Sequence, residues 1–591
     1  MDGIVELKTD PTDTHKQSLD NNNSSLAVIK NALFVVAFGG IVGAVSAVFA
    51  DLFVYGFKQL NTLFNITAAT THEAVSFWWI ILVPCIGGLV VGLFNRYINP
   101  DKPQGPPDVI AAAQLGHSQV PFKSGMATAL ASFLSLGSGA SVGGYGPIVH
   151  LGATLGVAFR KFAYAGGGHI ANIGIGCGVA GAIAAAFNAP LAGMFFAHEV
   201  VLRHYSLRAF APITVSATMG YIVTAVILER PPLFQIDQIG HLNAWEYISF
   251  MLIGVMGAVL AVIFMRTLLQ SQKLSQQLAI PVVLKPALAG FALGLVALQL
   301  PELLGLGTSL LQSAMVPETI AAPEMAALLI GKLLVTAMCL GFGFVGGVFS
   351  PSLVIGVLFG SLVGLVLEPI MPGASDSLGV FAICGMAAVT TAVIGAPIST
   401  ILIILELTRN YELTTAVLLS VVFSNLVSYR LFGRSFFDHV LTQRGLDLTK
   451  GRDALLVANT EIGQSVHQAF VKIKLSDTPS DCLQQMHANN TNVAHVVNDD
   501  NQYQGAILLN DMAMAANVKD LHVADIALFQ PKQLDANSSV EHGLAILQDS
   551  PQKSIPVVDV DNNLVGVVNQ QSLLQQYRDT LHKVRSDENA A

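Results

Sequence analysis

Two short stretches of this sequence carry residue types that can hold an anion. Gly143-Gly144-Tyr145-Gly146-Pro147 and Gly347-Val348-Phe349-Ser350-Pro351 each set glycine before a proline, with an apolar run behind it. Proline suits the first turn of a helix, where its missing N–H is not needed. Glycine lets the backbone turn tightly and approach a ligand. A helix start presents unbonded N–H groups and about half a positive charge. Two such starts aimed at one point bind an anion without a buried Lys or Arg. Partial charges also let the ion leave again, as passage requires. The chemistry is reversible binding, so the chain is not read as an enzyme. For Gly152, Gly156, Gly356 and Gly360 further on, close packing of helices through small residues is the preferred reading.

Other patterns carry less. Gly176-Cys177-Gly178-Val179-Ala180-Gly181 spells a dinucleotide fingerprint, but it lies in an apolar run with no soluble strand before it. His198-Glu199-Val200-Val201-Leu202 lacks the second histidine of a zinc protease. Ionisable groups at membrane depth are often functional, which keeps His198 and Glu199 as candidates for a proton-handling or structural role; for His198 a packed or water-facing ring is preferred. Packing is also preferred over a pore-facing role for His150. Arg203, His204 and Arg208 read as membrane-edge residues. Four of the five cysteines lie in apolar runs, which points to buried thiols and to neither a disulfide framework nor a metal site.

The elements that must aim these loops are apolar and repeated. Only 12% of the 591 residues are charged, against about 25% in a soluble domain. Residues 31–435 hold long apolar runs, many broken by Gly or Pro. Bilayer spans need about 20 apolar residues, so interrupted and tilted helices fit better than simple straight ones. An offset of 204 aligns Gly137, Gly139, Gly143, Pro147, Gly152 and Gly156 with Gly341, Gly343, Gly347, Pro351, Gly356 and Gly360. A second block at an offset of 207 aligns Cys177-Gly178, Ala189-Pro190 and Glu199 with Cys384-Gly385, Ala396-Pro397 and Glu406. An internal repeat of this kind marks transporters, with the substrate site where the repeats meet near mid-membrane.

The ends differ from the middle. Residues 1–25 are polar and show no signal peptide; Ser24 or Ser25 is the expected cap of the first helix. Nearly all of the net charge of −9 comes from the region after residue 446, which speaks against nucleic-acid binding or adhesion to anionic lipid. There, strands at Val493–Val497, Gly505–Leu509, Ser554–Val558 and Leu564–Asn569 alternate with helices at Pro479–Ala488, Val540–Asp549 and Gln571–His582.

Taken together, these residues resemble the CLC chloride channel and transporter family. Gly347-Val348-Phe349-Ser350-Pro351 matches its GxFxP motif in full, and Gly143-Gly144-Tyr145-Gly146-Pro147 is similar to G(K/R)EGP. Gln104-Gly105-Pro106-Pro107-Asp108 sits where the family has SGIPE, and Phe437 where it has a pore-lining tyrosine. Ala185–Gly193 resembles the helix at the family's dimer interface. The tail resembles a pair of CBS domains. The resemblance implies an all-α polytopic membrane protein with a CLC-type inverted repeat of about 18 helices, plus an α/β cytoplasmic CBS pair. It also implies a homodimer with one pore per subunit. The expected organisation is a cytoplasmic tail (1–29), an anion-conducting domain (30–445), a linker (446–459), two CBS domains (460–516 and 520–580) and a disordered tail (581–591). The expected location is the bacterial inner membrane, with both termini cytoplasmic.

The resemblance assigns the anion path to Gln104, Gly105, Pro106, Gly143, Gly144, Tyr145, Gly146, Gly347, Val348, Phe349, Ser350 and Phe437, with Tyr145 as gate. Departures from the family pattern set the expected mechanism. Tyr145 replaces the gating glutamate, and Val200 replaces the inner proton glutamate. A phenol with a pKa of about 10 is neutral at pH 7 and cannot mimic an anion. Passive passage of chloride or a similar small anion is therefore expected, with a coupled exchanger using groups such as His198, or a transport-dead sensor, as alternatives. In the tail only Asp511 fits the family's adenine-nucleotide pattern, so structural pairing is favoured over nucleotide sensing. No metal or resident cofactor is expected.

Overall fold

The computed structural model describes residues 11–70, 76–98, 104–115, 120–160, 169–205, 207–232, 242, 244–317, 319–369, 377–467, 470–518, 520–526, 528–550 and 554–590. The chain forms two compact units, one ending at Leu446 and the other spanning Asp447–Ala590.

The first unit is helical. Among its described residues are eighteen α-helices, from Pro11–Leu63 to Phe436–Gln443, together with short 3-10 and π segments. Seven helices are long and apolar enough to cross a membrane, among them Phe77–Tyr97, Glu246–Gln277 and Phe349–Leu367. The first helix corrects one expectation. It begins at Pro11 and runs to Leu63, so Ser24 and Ser25 lie inside it and cap nothing. No Pro or Gly occurs between Pro11 and Gly39 to stop it.

The sequence repeat is a repeat of helices. Tyr145–Arg160 packs on His169–Phe187, and Phe349–Leu367 packs on Leu378–Ile394. The glycines read as packing residues sit in these contacts. A Cβ added at Gly152, Gly156, Gly356 or Gly360 would come within 2.3, 1.9, 2.5 and 2.1 Å of backbone atoms of Gly178, Gly174, Met386 and Phe381. Each pair therefore touches backbone to backbone. Gly139 and Gly343, at equivalent places, have φ of +81° and +105°, a conformation that L side chains rarely adopt.

The second unit holds two three-stranded sheets. Val471–Lys474 (β1), Val493–Val497 (β2) and Tyr503–Leu508 (β3) form one; Leu534–Asp535 (β4), Ser554–Val558 (β5) and Leu564–Asn569 (β6) form the other. In each, the first strand runs parallel to the second and the second antiparallel to the third. Helices Pro479–Ala488 and Val540–Asp549 start behind Thr478 and Ser539, whose hydroxyls accept from the third helical amide.

The halves exchange segments, which revises the expected boundaries. Ile462 joins the core of Val540, Val557 and Leu573, and His467 pairs with Val567. In return Val523 joins the core of Val471, Ile473 and Ile507, and Phe529 pairs with Ala506. The stretch expected as a linker contains the amphipathic helix Arg452–Asn459, whose Val457 is part of the second core. The last helix runs Gln570–Ala590 and replaces the tail expected from residue 581, because no Pro or Gly interrupts it. The described cysteines are free thiols; Cys177, Cys339, Cys384 and Cys482 are buried and Cys85 is partly so.

Candidate functional site

The two glycine loops meet. Gly143 N–H donates to the Gly347 carbonyl at 2.8 Å, and Gly347 N–H donates back to the Gly143 carbonyl at 2.7 Å. Positions matched at an offset of 204 thus pair with each other, across the axis that relates the halves. The bridge brings two helix starts together, at Tyr145 and Phe349. Gly144 N–H donates to Ser350 Oγ at 3.3 Å. Hydrogen bonds among the described residues leave the amides of Tyr145, Gly146, Val348, Phe349 and Ser350 without an acceptor. Five donors at paired helix starts form an anion-attracting surface with no cationic side chain in it.

Tyr145 stands over this point and is buried. Its ring lies 4.3 Å from that of Phe187 and 5.5 Å from that of Phe349, centroid to centroid. Phe187 and Phe349 are 5.2 Å apart, and Phe196 follows at 6.3 Å from Phe349. The phenol is therefore clamped in an aromatic cluster.

The third expected loop reaches the same place. A Cβ added at Gly146 would lie 3.0 Å from Gly347 Cα and 3.6 Å from Pro106 Cδ. The backbone donors of this loop are already used. Gln104 N–H donates to Thr128 Oγ1 at 3.2 Å, and Gly105 N–H donates to Asp108 Oδ2 at 2.7 Å. What Gln104 still offers is its carboxamide, whose oxygen is buried without a partner. Phe437 is buried in Phe436–Gln443, a helix that packs on Pro106–Leu115. Asp108 also holds Arg444 at 2.7 Å, which fixes these two helices to each other.

Glu199 is bonded as a structural group. It accepts from the amides of Ile398 and Ser399 at 3.0 and 2.8 Å and from the Ser399 hydroxyl at 2.6 Å. His198 is buried in the π-helical segment Ala197–Leu202, with Nδ1 3.2 Å from the His204 carbonyl and Nε2 without a partner. Its ring stacks on Tyr205 and Phe210. Val200 is buried in the same segment. His150 is 1% exposed, and neither ring nitrogen has a partner. Arg203 pairs with Asp438 at 2.6 Å, and both side chains are largely buried. Asp511 is exposed in the first turn of helix Leu509–Ala515.

Sequence reasoning did not single out Phe187, Phe196, Arg203–Asp438 or Asp108–Arg444. Phe187 stands in the stretch Ala185–Gly193, but nothing in the spacing places its ring on Tyr145.

Comparison with known proteins gives the same frame. The family described as "Voltage gated chloride channel" matches residues 87–429, and the CBS domain family matches residues 523–579. The voltage-gated ClC-type chloride channel ClcB of Citrobacter koseri is 28% identical over 403 residues, 66% of this chain and 96% of that one. The H(+)/Cl(-) exchange transporter ClcA of Vibrio parahaemolyticus is 30% identical over 313 residues, 52% of this chain and 67% of that one. A slow cyanobacterial Cl-/H+ antiporter superposes with a TM-score of 0.63 at 22% identity, over 71% of this chain and 99% of that one. A eukaryotic CLC transporter superposes at 0.59 and 19% identity, over 91% and 98%. These two likenesses establish the fold.

Proposed function

This chain belongs to the voltage-gated chloride channel (CLC) family, and on that premise we propose that it passes chloride or a similar small anion passively, without moving protons. The observation that carries the reading is Tyr145. A neutral phenol, clamped between Phe187 and Phe349, occupies the place where the family pattern has a titrating carboxylate. The second carboxylate position holds the buried, aliphatic Val200. With neither group able to carry a proton at neutral pH, anion movement has no chemical step to which proton movement is tied. The amides of Tyr145, Gly146, Val348, Phe349 and Ser350 supply the attraction, and the carboxamide of Gln104 and the hydroxyl of Tyr145 stand in for the hydroxyl donors lost at positions 104 and 437. The working unit is a homodimer in a bacterial inner membrane, with a pore in each subunit and both termini cytoplasmic.

A coupled exchanger is the second reading, favoured by the unpartnered Nε2 of buried His198. The test is anion flux by purified protein in liposomes, with and without a proton gradient. Flux that follows the anion gradient and ignores the proton gradient supports the proposal. Uphill proton movement driven by chloride at a fixed ratio overturns it.

A further inference from the structure

The candidate span Ala322–Gly341 carries a lysine at its eleventh residue. Lys332 is 0% exposed. Its Nζ donates to the Leu303 carbonyl at 3.1 Å and to the Gly305 carbonyl at 2.9 Å. It forms no ion pair among the described residues. Glu302, the carboxylate next in the chain to those carbonyls, is not bonded to it. Two carbonyls satisfy the amine's hydrogen bonds but do not balance a charge, and a charge at membrane depth that is left unbalanced is costly.

The surroundings say where the balance comes from. The carbonyl-bearing loop Leu303–Gly307 backs onto the loop that leads to Tyr145. Gly305 N–H donates to the Gly139 carbonyl at 2.8 Å. One helical turn beyond Lys332, Thr336 Oγ1 is 3.1 Å from Ser141 Oγ. A Cβ added at Gly144 would lie 3.8 Å from Leu306. The amine therefore lies behind the loop that leads to Tyr145 and beside Gly307, where an added Cβ would come within 3.4 Å of Lys332 Nζ and 3.3 Å of Val354 of the helix Phe349–Leu367.

We propose that Lys332 is the fixed positive charge of the pathway, balanced by the permeating anion, since no carboxylate among the described residues forms an ion pair with it. Anion occupancy beside Tyr145 and the charge on Lys332 then stabilise one another. A charge acting through a low-dielectric wall attracts over several ångströms without coordinating the ion, so it raises occupancy and does not trap. Lys332 is a positioning charge, and its role rests on the anion-passing reading above.

The test uses the full-length protein in liposomes, with flux measured against chloride concentration. Lys332→Met should raise the concentration for half-maximal flux roughly tenfold, while Lys332→Arg stays close to wild type. A folded Lys332→Met protein with an unchanged concentration dependence overturns the proposal. If Lys332→Met does not fold, wild type and Lys332→Arg are compared between about pH 5 and about pH 10, because arginine keeps its charge over that whole range and a buried lysine loses it within the range. The other titratable groups are Glu324 and Cys339 on the same helix, Glu246, Tyr247, Arg266 and Lys273 on the packed helix Glu246–Gln277, Lys285 on Lys285–Ala297, and Glu302 and Tyr145; the helices Thr308–Ser313 and Phe349–Leu367 and the segment Gly137–Gly144 contribute none. Both proteins share those groups. A loss of chloride affinity with rising pH in wild type alone supports the proposal, and superimposable profiles overturn it. Absence of any wild-type flux would instead remove the anion-passing reading on which it stands.

Discussion

Glu199 and Glu406 hold the starts of each other's helices. Glu199, behind helix Pro190–Phe196, accepts from the amides of Ile398 and Ser399 at the start of Pro397–Thr408. Glu406, near the end of that second helix, accepts from the amides of Leu191 and Ala192, both at 2.9 Å, at the start of the first. Every member of one set maps on the other at the offset of 207 read from the sequence. A carboxylate on free helix-start amides is among the stronger uncharged-to-charged hydrogen-bond arrangements.

Because each carboxylate accepts two helix-start amides and Glu199 also accepts the Ser399 hydroxyl, Glu199→Gln and Glu406→Gln should each destabilise the membrane unit by about 1–3 kcal/mol, Glu199→Gln by the larger amount. Thermal melts in detergent measure this. A large loss for one and none for the other would show that the two sites are not doing the same job. Proton sensitivity of flux should be unaltered in Glu199→Gln, since the carboxylate is bonded to the fold.

Tyr145 gives the sharpest functional contrast. Tyr145→Ala opens the aromatic cluster with Phe187 and Phe349, so flux should rise and discrimination by ion size should fall. Tyr145→Glu places a charge at the paired helix starts. Flux should drop at neutral pH and recover in acid as the introduced carboxylate protonates, near its ordinary value of about 4.3 or above. Flux between acid and neutral pH for wild type and both variants separates a gate from a space-filling ring, which would leave selectivity and pH dependence unchanged.

The packing glycines differ in what they tolerate. A methyl at Gly156 would meet the Gly174 carbonyl oxygen at 1.9 Å, backbone that cannot move aside, whereas one at Gly144 meets the Leu136 side chain at 3.4 Å. Gly156→Ala should cost at least about 1–3 kcal/mol or prevent folding. Gly144→Ala should fold. Yield of folded protein and melting temperature check both.

In the second unit His495 is buried beside Phe470 and Tyr503, and burial lowers its pKa from 6.5 to about 4. The unfolded chain then takes up a proton more readily than the folded one. Stability should be flat above about pH 6.5 and fall as pH drops from 6.5 toward 4, by about 3 kcal/mol at most. Urea unfolding of residues 447–591 at several pH values, with His495→Phe as the control that flattens this part of the slope, measures it.

Nucleotide binding by that unit should be weak. Asp511 is solvent-exposed on its short helix, and positions 508 and 569 hold Leu and Asn in place of threonine. Calorimetry that finds micromolar affinity for ATP or AMP would reverse this expectation.

The features legible in the sequence were those that recur. Glycines at 204-residue spacing announced the paired loops, and the alternation of apolar strands with capped helices announced the tail. β2, β5 and β6 lie where the pattern placed them, while β1 and the two-residue β4 were too short or too charged to stand out. What stayed hidden depends on contacts between distant apolar residues. A phenylalanine such as Phe187 reads the same whether it faces lipid or Tyr145. Nothing in the sequence pairs Arg203 with Asp438, 235 positions further on. Lys332 is a single polar letter in an apolar run, and only the carbonyls of Leu303 and Gly305 reveal why it is tolerated there.

The exchange of segments in the second unit bears on how the chain is made. Ile462 and His467 leave the ribosome about a hundred residues before Val567, the strand position with which His467 pairs. Synthesis runs from the N-terminus, so the first half of the tail emerges with a core of its own and a dangling leader that fits nothing yet made. A nonsense mutation or a proteolytic cut after Phe529 would thus strand a hydrophobic leader as well as delete a half. The unpaired piece is an exposed hydrophobic tag, and quality-control proteases would meet it first.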